Sequence, residues 1–79
     1  MKRTESDSAL RHTIAKNLWT ELEDQGITQK DLAKQIGVSD GTIANILWEK
    51  STPSISTIAE ISKALLISID YLCGLSDER

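Results

Sequence analysis

The chain has 79 residues, the length of one small domain, and a core of that size leaves little stability to spare. Hydrophobic residues make up 39% of it and phenylalanine is absent, so an all-helical bundle is the economical way to bury the apolar side chains. Nine Lys and Arg residues face twelve Asp and Glu residues, which gives a net charge of −3 and excludes a uniformly basic surface.

The sequence lacks the features of several protein classes. No apolar run approaches the length of a membrane span, and the first residues, MKRTESDS, do not form a signal peptide, so we expect a cytoplasmic location and no membrane contact. With one histidine, one cysteine and no glycine-rich phosphate loop, we expect neither an enzyme nor a bound metal or cofactor. Cys73 cannot form an internal disulfide, and we interpret it as a small core residue rather than as a reactive thiol.

The first third of the chain predicts a flexible arm followed by one long helix. Residues 1–8 are mostly charged and polar, and we expect them to form a flexible N-terminal arm. A helix is predicted over residues 9–25, and Gly26 ends it. The apolar stripe of this helix recurs every four residues, at Leu10, Ile14, Leu18 and Leu22, with Ala15 and Trp19 beside it, and we expect it to lie in the core.

The central stretch, residues 28–48, predicts two short helices joined by a tight turn. Thr28 and Ser39 can cap the two helices, because their hydroxyl oxygens can accept free backbone N–H groups. Gly37 ends the first of them, since glycine adopts a left-handed conformation at little cost. The apolar faces are formed by Leu32, Ala33 and Ile36 and by Ile43, Ile46 and Leu47. The opposite face of the second helix carries short polar side chains, which suits entry into a DNA major groove.

The remaining residues predict two more helices. Pro53 prevents a helix from continuing, and Ser54 can then cap a helix over residues 55–65. Ser68 can cap a last short helix over residues 69–73.

Together these elements predict an all-α fold, a compact five-helix bundle with a central helix-turn-helix. We expect this domain to occupy residues 9–75, after the arm at 1–8 and before a short polar tail at 76–79. The side chains expected in its core are Leu18, Leu22, Leu32, Ile36, Val38, Ile43, Leu47, Ile58, Ile61 and Leu65.

Two sets of residues point to a known family. The first set is Thr28-Gln29, Leu32-Ala33, Gly37-Val38-Ser39 and Thr42-Ile43. The second set is Thr52-Pro53-Ser54, Lys63-Ala64-Leu65 and Ile69-Asp70-Tyr71-Leu72. Over roughly residues 14–75 the chain resembles the phage repressor and Cro family, bacterial and phage regulators with a five-helix DNA-binding domain. So many positions matched in register argue against chance similarity.

The resemblance implies a set of DNA-binding residues. In the family, the position of Gln29 binds a DNA phosphate, and the positions of Asp40, Gly41 and Asn45 contact bases. The loop after the second helix of the motif meets the DNA backbone, and Lys50 is the strongest candidate for a phosphate contact there. The resemblance therefore implies DNA binding by Gln29, Ser39, Asp40, Gly41, Thr42, Asn45, Lys50, Ser51 and Thr52.

Several positions depart from the family pattern. Asp40 replaces an amide or basic residue, and it either accepts from a cytosine amino group or only caps its helix. Trp48 replaces a small polar residue, and it packs either on the domain surface or in a partner interface. Glu49 stands where a glycine often ends the helix, so the helix either runs longer or ends in a strained turn. Leu22 and Leu47 stand where many relatives pair an arginine with a glutamate, and an apolar pair can replace such an ion pair without loss of stability.

The resemblance implies a sequence-specific transcription regulator, most simply a repressor, that binds double-stranded DNA. We expect its third helix in the major groove and a weak homodimer, with Tyr71, Leu72 and Leu75 as candidate dimer contacts. The alternative is a protein-interaction module of the same fold, such as an antitoxin or antirepressor with a protein partner. The net charge of −3, Asp40 and Trp48 favour this alternative.

Overall fold

Five helices and no strand make up the part of the chain that the computed structural model describes, which is the backbone of residues 3–79 and the side chains from Ser8 onward. The helices are α1 (Arg3–Gln25), α2 (Gln29–Ile36), α3 (Asp40–Leu47), α4 (Ile55–Leu65) and α5 (Ile69–Leu72). The predicted all-α five-helix fold is confirmed. Within residues 3–79, no helix has both the length and the apolar character needed to cross a bilayer.

The start of α1 corrects the sequence-based prediction. α1 begins at Arg3 rather than at residue 9, and it ends at Gln25 as expected. Residues 3–8 contain neither glycine nor proline, so nothing in that run prevents the helix from extending toward the N-terminus. Met1 and Lys2 lie outside the described residues, and the flexibility of residues 1–8 stays a prediction.

The four shorter helices all begin at the predicted hydroxyl cap. In each case a backbone N–H three residues further on donates to the cap oxygen, which satisfies one of the free donors at the helix start. The donor-to-oxygen distances are 3.0 Å for Asp31 to Thr28, 3.2 Å for Thr42 to Ser39, 3.2 Å for Thr57 to Ser54 and 3.0 Å for Tyr71 to Ser68.

The core is one apolar cluster shared by all five helices. It consists of Ile14, Leu18, Leu22, Leu32, Ala33, Ile43, Ile46, Leu47, Ile58, Ile61, Leu65, Ile67 and Leu72. Two side chains expected in the core, Ile36 and Val38, are only half-buried, because they line an open groove beside Thr57 and Glu60 of α4. Trp19 was placed beside the core stripe of α1 but is 45% exposed.

The packing of the helices holds α3 in place. α2 packs on α3 and α4, while α1 packs on α3 and α5. Ala33 of α2 is fully buried in the cluster, and its small side chain lets the backbones of α2 and its neighbours approach closely. Because α3 is fixed along one side only, its other side remains open to solvent.

Cys73 follows α5 and packs against the core while half-buried. Burial raises the pKa of its thiol, and the nearby carboxylate of Asp70 raises it further. A raised pKa lowers the population of the nucleophilic thiolate, which favours the packing interpretation over a reactive thiol.

Candidate nucleic-acid interface

The open face of α3 carries the candidate base-reading residues. Gly41 and Asn45 lie one turn apart on this face, and both are exposed. Asp40 is exposed in the first turn of α3, where its negative charge interacts favourably with the positive end of the helix dipole. The opposite face of α3 holds Ile43, Ile46 and Leu47 in the core, so the backbone of α3 is anchored while its polar face is free.

Ser39 and Thr42 bind each other at the start of α3. The Thr42 N–H donates to Ser39 Oγ at 3.2 Å, and the two hydroxyl oxygens are 3.0 Å apart. Ser39 is exposed and Thr42 is half-buried. Both hydroxyls therefore stabilise the helix start, and each keeps part of its hydrogen-bonding capacity for a ligand.

Gln29 is the first residue of α2 and lies half-buried at the edge of an apolar cleft. The cleft has a volume of about 240 Å³ and is lined by Trp19, Leu22 and Ile27 among others. The N-terminus of a helix presents free N–H groups and a positive dipole end, so the position of Gln29 suits an anionic group such as a phosphate.

The chain leaves α3 through a strained turn. α3 ends at Leu47, and Glu49 adopts the left-handed conformation with φ of 60°. The Glu49 N–H donates to Ile46 O at 3.1 Å, and the Lys50 N–H donates to Asn45 O at 2.8 Å. Of the two predicted alternatives for Glu49, the strained turn is the one observed. The turn brings the backbone of Lys50 against that of Asn45, and Lys50, like the following Ser51 and Thr52, is exposed.

Two residues of α1 contact this loop through their side chains, and the sequence-based prediction missed both contacts. Arg11 Nη1 donates to Thr52 Oγ1 at 3.4 Å, and His12 Nδ1 lies 3.1 Å from Glu49 Oε2. These partners are separated by 41 and 37 residues in the sequence, so only the packing of α1 on α3 brings them together.

Trp48 packs edge-on against Trp19 of α1. Their ring centroids are 6.1 Å apart and the rings are inclined at 83°, a favourable edge-to-face arrangement. Trp19 Nε1 also donates to Leu47 O at 3.2 Å. Trp48 therefore packs on the domain surface, as one of the two predicted alternatives has it, yet 65% of it remains exposed.

A second missed feature is a buried carboxylate at the far end of α1. Glu21 is 1% exposed, and Gln25 Nε2 donates to its Oε1 at 3.1 Å. Arg79 Nε lies 3.0 Å from Glu21 Oε2 in an ion pair whose alignment falls short of a hydrogen bond, while Arg79 Nη2 donates to Asp24 Oδ2 at 3.0 Å. Glu21 raises the pKa of Arg79. The available sequence signal was the position of Glu21 on the apolar stripe, three residues after Leu18.

Comparison with known proteins gives one match. The helix-turn-helix family model, that of the phage repressor and Cro type, matches residues 20–72, which is more than half of the chain. This is a family of DNA-binding regulator domains and not of enzymes. No curated protein and no solved structure matches the chain. The matched residues extend from within α1 to the end of α5 and include every candidate DNA-binding residue.

Proposed function

Because the chain belongs to the helix-turn-helix family of phage repressors and Cro, we propose that it is a sequence-specific transcriptional repressor in the cytoplasm that docks α3 in the major groove of double-stranded DNA. The observation that carries this proposal is the open polar face of α3, which presents Gly41 and Asn45 to solvent. The candidates for phosphate binding are Gln29, at the start of α2, and the exposed loop that begins with Lys50.

Each candidate residue has a distinct role in this proposal. The amide of Asn45 can both accept from and donate to an adenine edge, which gives discrimination between bases. Lys50 places a point charge near the DNA backbone, and the hydroxyls of Ser51 and Thr52 add neutral phosphate donors. Gln29 and the free N–H groups at the start of α2 hold a second phosphate.

The repressor would act as a weak homodimer on a near-palindromic site. One small domain buries little surface on DNA, so two half-sites are needed for useful affinity. Among the candidate dimer contacts Leu72 must be withdrawn, because it is fully buried in the core. Leu75 is 79% exposed, and Leu66 and Ile69, on either side of the turn into α5, are 89% and 46% exposed. We place the dimer contact on these three side chains, which an isolated subunit leaves in water.

Binding titrations against duplex DNA test the proposed function. They compare a random duplex with a site that the protein selects from a randomised pool. Lys50→Ala should weaken binding to both duplexes alike and lower the salt slope by about one. Asn45→Ala should cost about 1–3 kcal/mol on the selected site and little on random DNA. Lys63→Ala on α4, where Lys63 pairs with Glu60 at 3.7 Å, is the control for a lost positive charge.

One observation favours a second function, a protein-interaction module such as an antitoxin or antirepressor. Trp48 leaves most of its indole exposed at the end of α3, and tryptophan is enriched at protein interfaces. If the Lys50 and Asn45 variants bind duplex DNA indistinguishably from the parent, α3 is not in a groove and this second function replaces the first.

A further inference from the structure

We propose that α1 forms part of the DNA-binding surface: Arg11 binds a DNA phosphate beside Thr52, and His12 screens the carboxylate of Glu49 from the DNA. This inference rests on the proposed function, because it requires duplex DNA against α3 and the loop that follows it. It adds Arg11 to the predicted DNA-binding set and assigns a role to the contacts between α1 and that loop.

The position of Arg11 fits a phosphate contact. Its Nη1 donates to Thr52 Oγ1 at 3.4 Å, and its Nη2 donates to Ser8 Oγ at 3.3 Å. A guanidinium has five N–H donors, so these two bonds orient the group and leave further donors free. Arginine also matches phosphate oxygens with paired N–H groups. Arg11 is therefore held next to a loop residue that is itself a phosphate candidate.

The position of His12 offsets an unfavourable charge. Glu49 is the one acidic residue among residues 48–54, and it directly precedes Lys50 in the sequence. An exposed carboxylate at this place repels DNA phosphates. His12 Nδ1 lies 3.1 Å from Glu49 Oε2, and because a carboxylate only accepts, His12 must carry its proton on Nδ1. The imidazole N–H thus donates to the carboxylate of Glu49, which reduces the repulsion between this carboxylate and the DNA phosphates.

The charges along α1 support the same assignment. Glu21, Glu23 and Asp24 follow Arg11 and Lys16 in the C-terminal half of α1, whereas Glu5 and Asp7 precede Arg11 in its first turns. At 1.5 Å per residue, Arg11 and Glu21 are about 15 Å apart along the axis. Acidic residues in the last turn oppose the helix dipole, so helix stability does not explain this order.

The separation of charge on α1 keeps part of the acidic excess of a chain with a net charge of −3 away from the proposed DNA contact. Arg79 lies against Glu21 and Asp24 and offsets part of the acidic end. Arg11 and His12 lie about three turns before Glu21 and Asp24, and they contact Thr52 and Glu49 of the loop after α3. The last turns of α1, where Glu21, Glu23 and Asp24 lie, are therefore away from the loop that Arg11 and His12 contact.

The test of Arg11 compares the salt dependence of binding to a random duplex. Arg11→Gln should lower the slope of log K against log salt by about one, so that its deficit relative to the parent shrinks about threefold between about 50 and 200 mM salt. Lys63→Gln removes the same charge from α4 and should leave the slope at the parental value. Arg11→Lys keeps the charge and should keep the slope, which a purely structural role of the guanidinium would not predict.

The test of His12 uses two backgrounds. His12→Ala should weaken binding to all duplexes in the parent but have no effect in Glu49→Gln, where there is no carboxylate to screen.

Circular dichroism checks that each variant keeps the parental helix content. Equal slopes for Arg11→Gln and Lys63→Gln overturn the role of Arg11, and equal effects of His12→Ala in both backgrounds overturn the role of His12. If the parent binds no duplex at low salt, the proposed function fails and this inference fails with it.

Discussion

Gly41 lies on the exposed face of α3, at a place where glycine weakens a helix. Its backbone is helical, and a Cβ added there would lie 3.7 Å from Ser39 Oγ, an ordinary contact. Nothing in the isolated domain therefore requires a glycine at this position. Close approach of the helix backbone to a DNA base edge is a physical reason for it, since a side chain would separate the two.

The first prediction concerns Gly41→Ala. The substitution should raise the free energy of unfolding by about 1 kcal/mol, because alanine restricts the unfolded chain and favours the helix. It should also weaken binding to the selected DNA site, since the added methyl group keeps α3 from approaching the bases. Urea denaturation measures the first effect and a binding titration measures the second.

Gly37→Ala is the control for this prediction. Gly37 has φ of 78°, which an alanine adopts only at a cost of about 1–2 kcal/mol, so this substitution should destabilise the domain. Gain of stability together with unchanged or tighter DNA binding by Gly41→Ala would show that the glycine serves no close approach.

Single residues differ in how far the sequence predicts their contacts. The caps Thr28, Ser39, Ser54 and Ser68 are all found as predicted, because a cap joins a side chain to an N–H three residues away. The contact between Glu21 and Arg79 spans most of the chain and has no local pattern that identifies its partner. The DNA-binding roles of the nine predicted residues stay predictions.

Two helices end in a left-handed residue that is not glycine. Glu49 follows α3 with φ of 60°, and Leu66 follows α4 with φ of 58°. Such a conformation brings the Cβ of an L-residue too close to the following carbonyl oxygen. The structure accepts this strain because the tight turns place Lys50 against Asn45 and Ile67 back in the core.

The second prediction concerns these turns. Glu49→Gly should raise the free energy of unfolding by about 0.5–1 kcal/mol, since the strain removed exceeds the entropy gained by the unfolded chain. The lost contact to His12 is between exposed groups and offsets little of this gain. Chemical denaturation measures the difference. Leu66→Gly, at a side chain 89% exposed, should change stability in the same direction.

Lys50→Gly is the control, because Lys50 does not have a positive φ. It should destabilise the domain or leave it unchanged. If Glu49→Gly and Lys50→Gly lower the denaturation midpoint alike, left-handed strain is not what limits the stability of the turn.

For the molecule as a whole, hydrophobic periodicity predicted the five helices and most of the core, since every apolar stripe needs a partner to bury it. It failed at Ile36, Val38 and Trp19, whose exposure depends on the outline of neighbouring helices rather than on their own spacing. It also failed for the contacts of Arg11 and His12, because a local pattern does not show which loop meets α1.

Exposed apolar side chains at the α4–α5 end of the molecule lead to the last prediction. Leu66 and Leu75 are 89% and 79% exposed, and burying a leucine fully is worth about 1.5–3 kcal/mol. If they meet their counterparts in a two-fold dimer, the double variant Leu66→Ser/Leu75→Ser should weaken dimer formation on a palindromic site at least about tenfold.

Sedimentation of the protein with and without that site measures the dimer prediction. Ile55→Ser is the matched control, because Ile55 is 81% exposed and begins α4 at the other end of the helix from Leu66. The parent and this control should form two-to-one complexes with the palindromic duplex, whereas the double variant should stop at one protein per duplex over the same concentrations. Because serine leaves the charge unchanged, contacts to phosphates stay as they are and single half-site affinity should match the parent. Cooperative two-to-one binding by the double variant would place the dimer contact elsewhere on the domain.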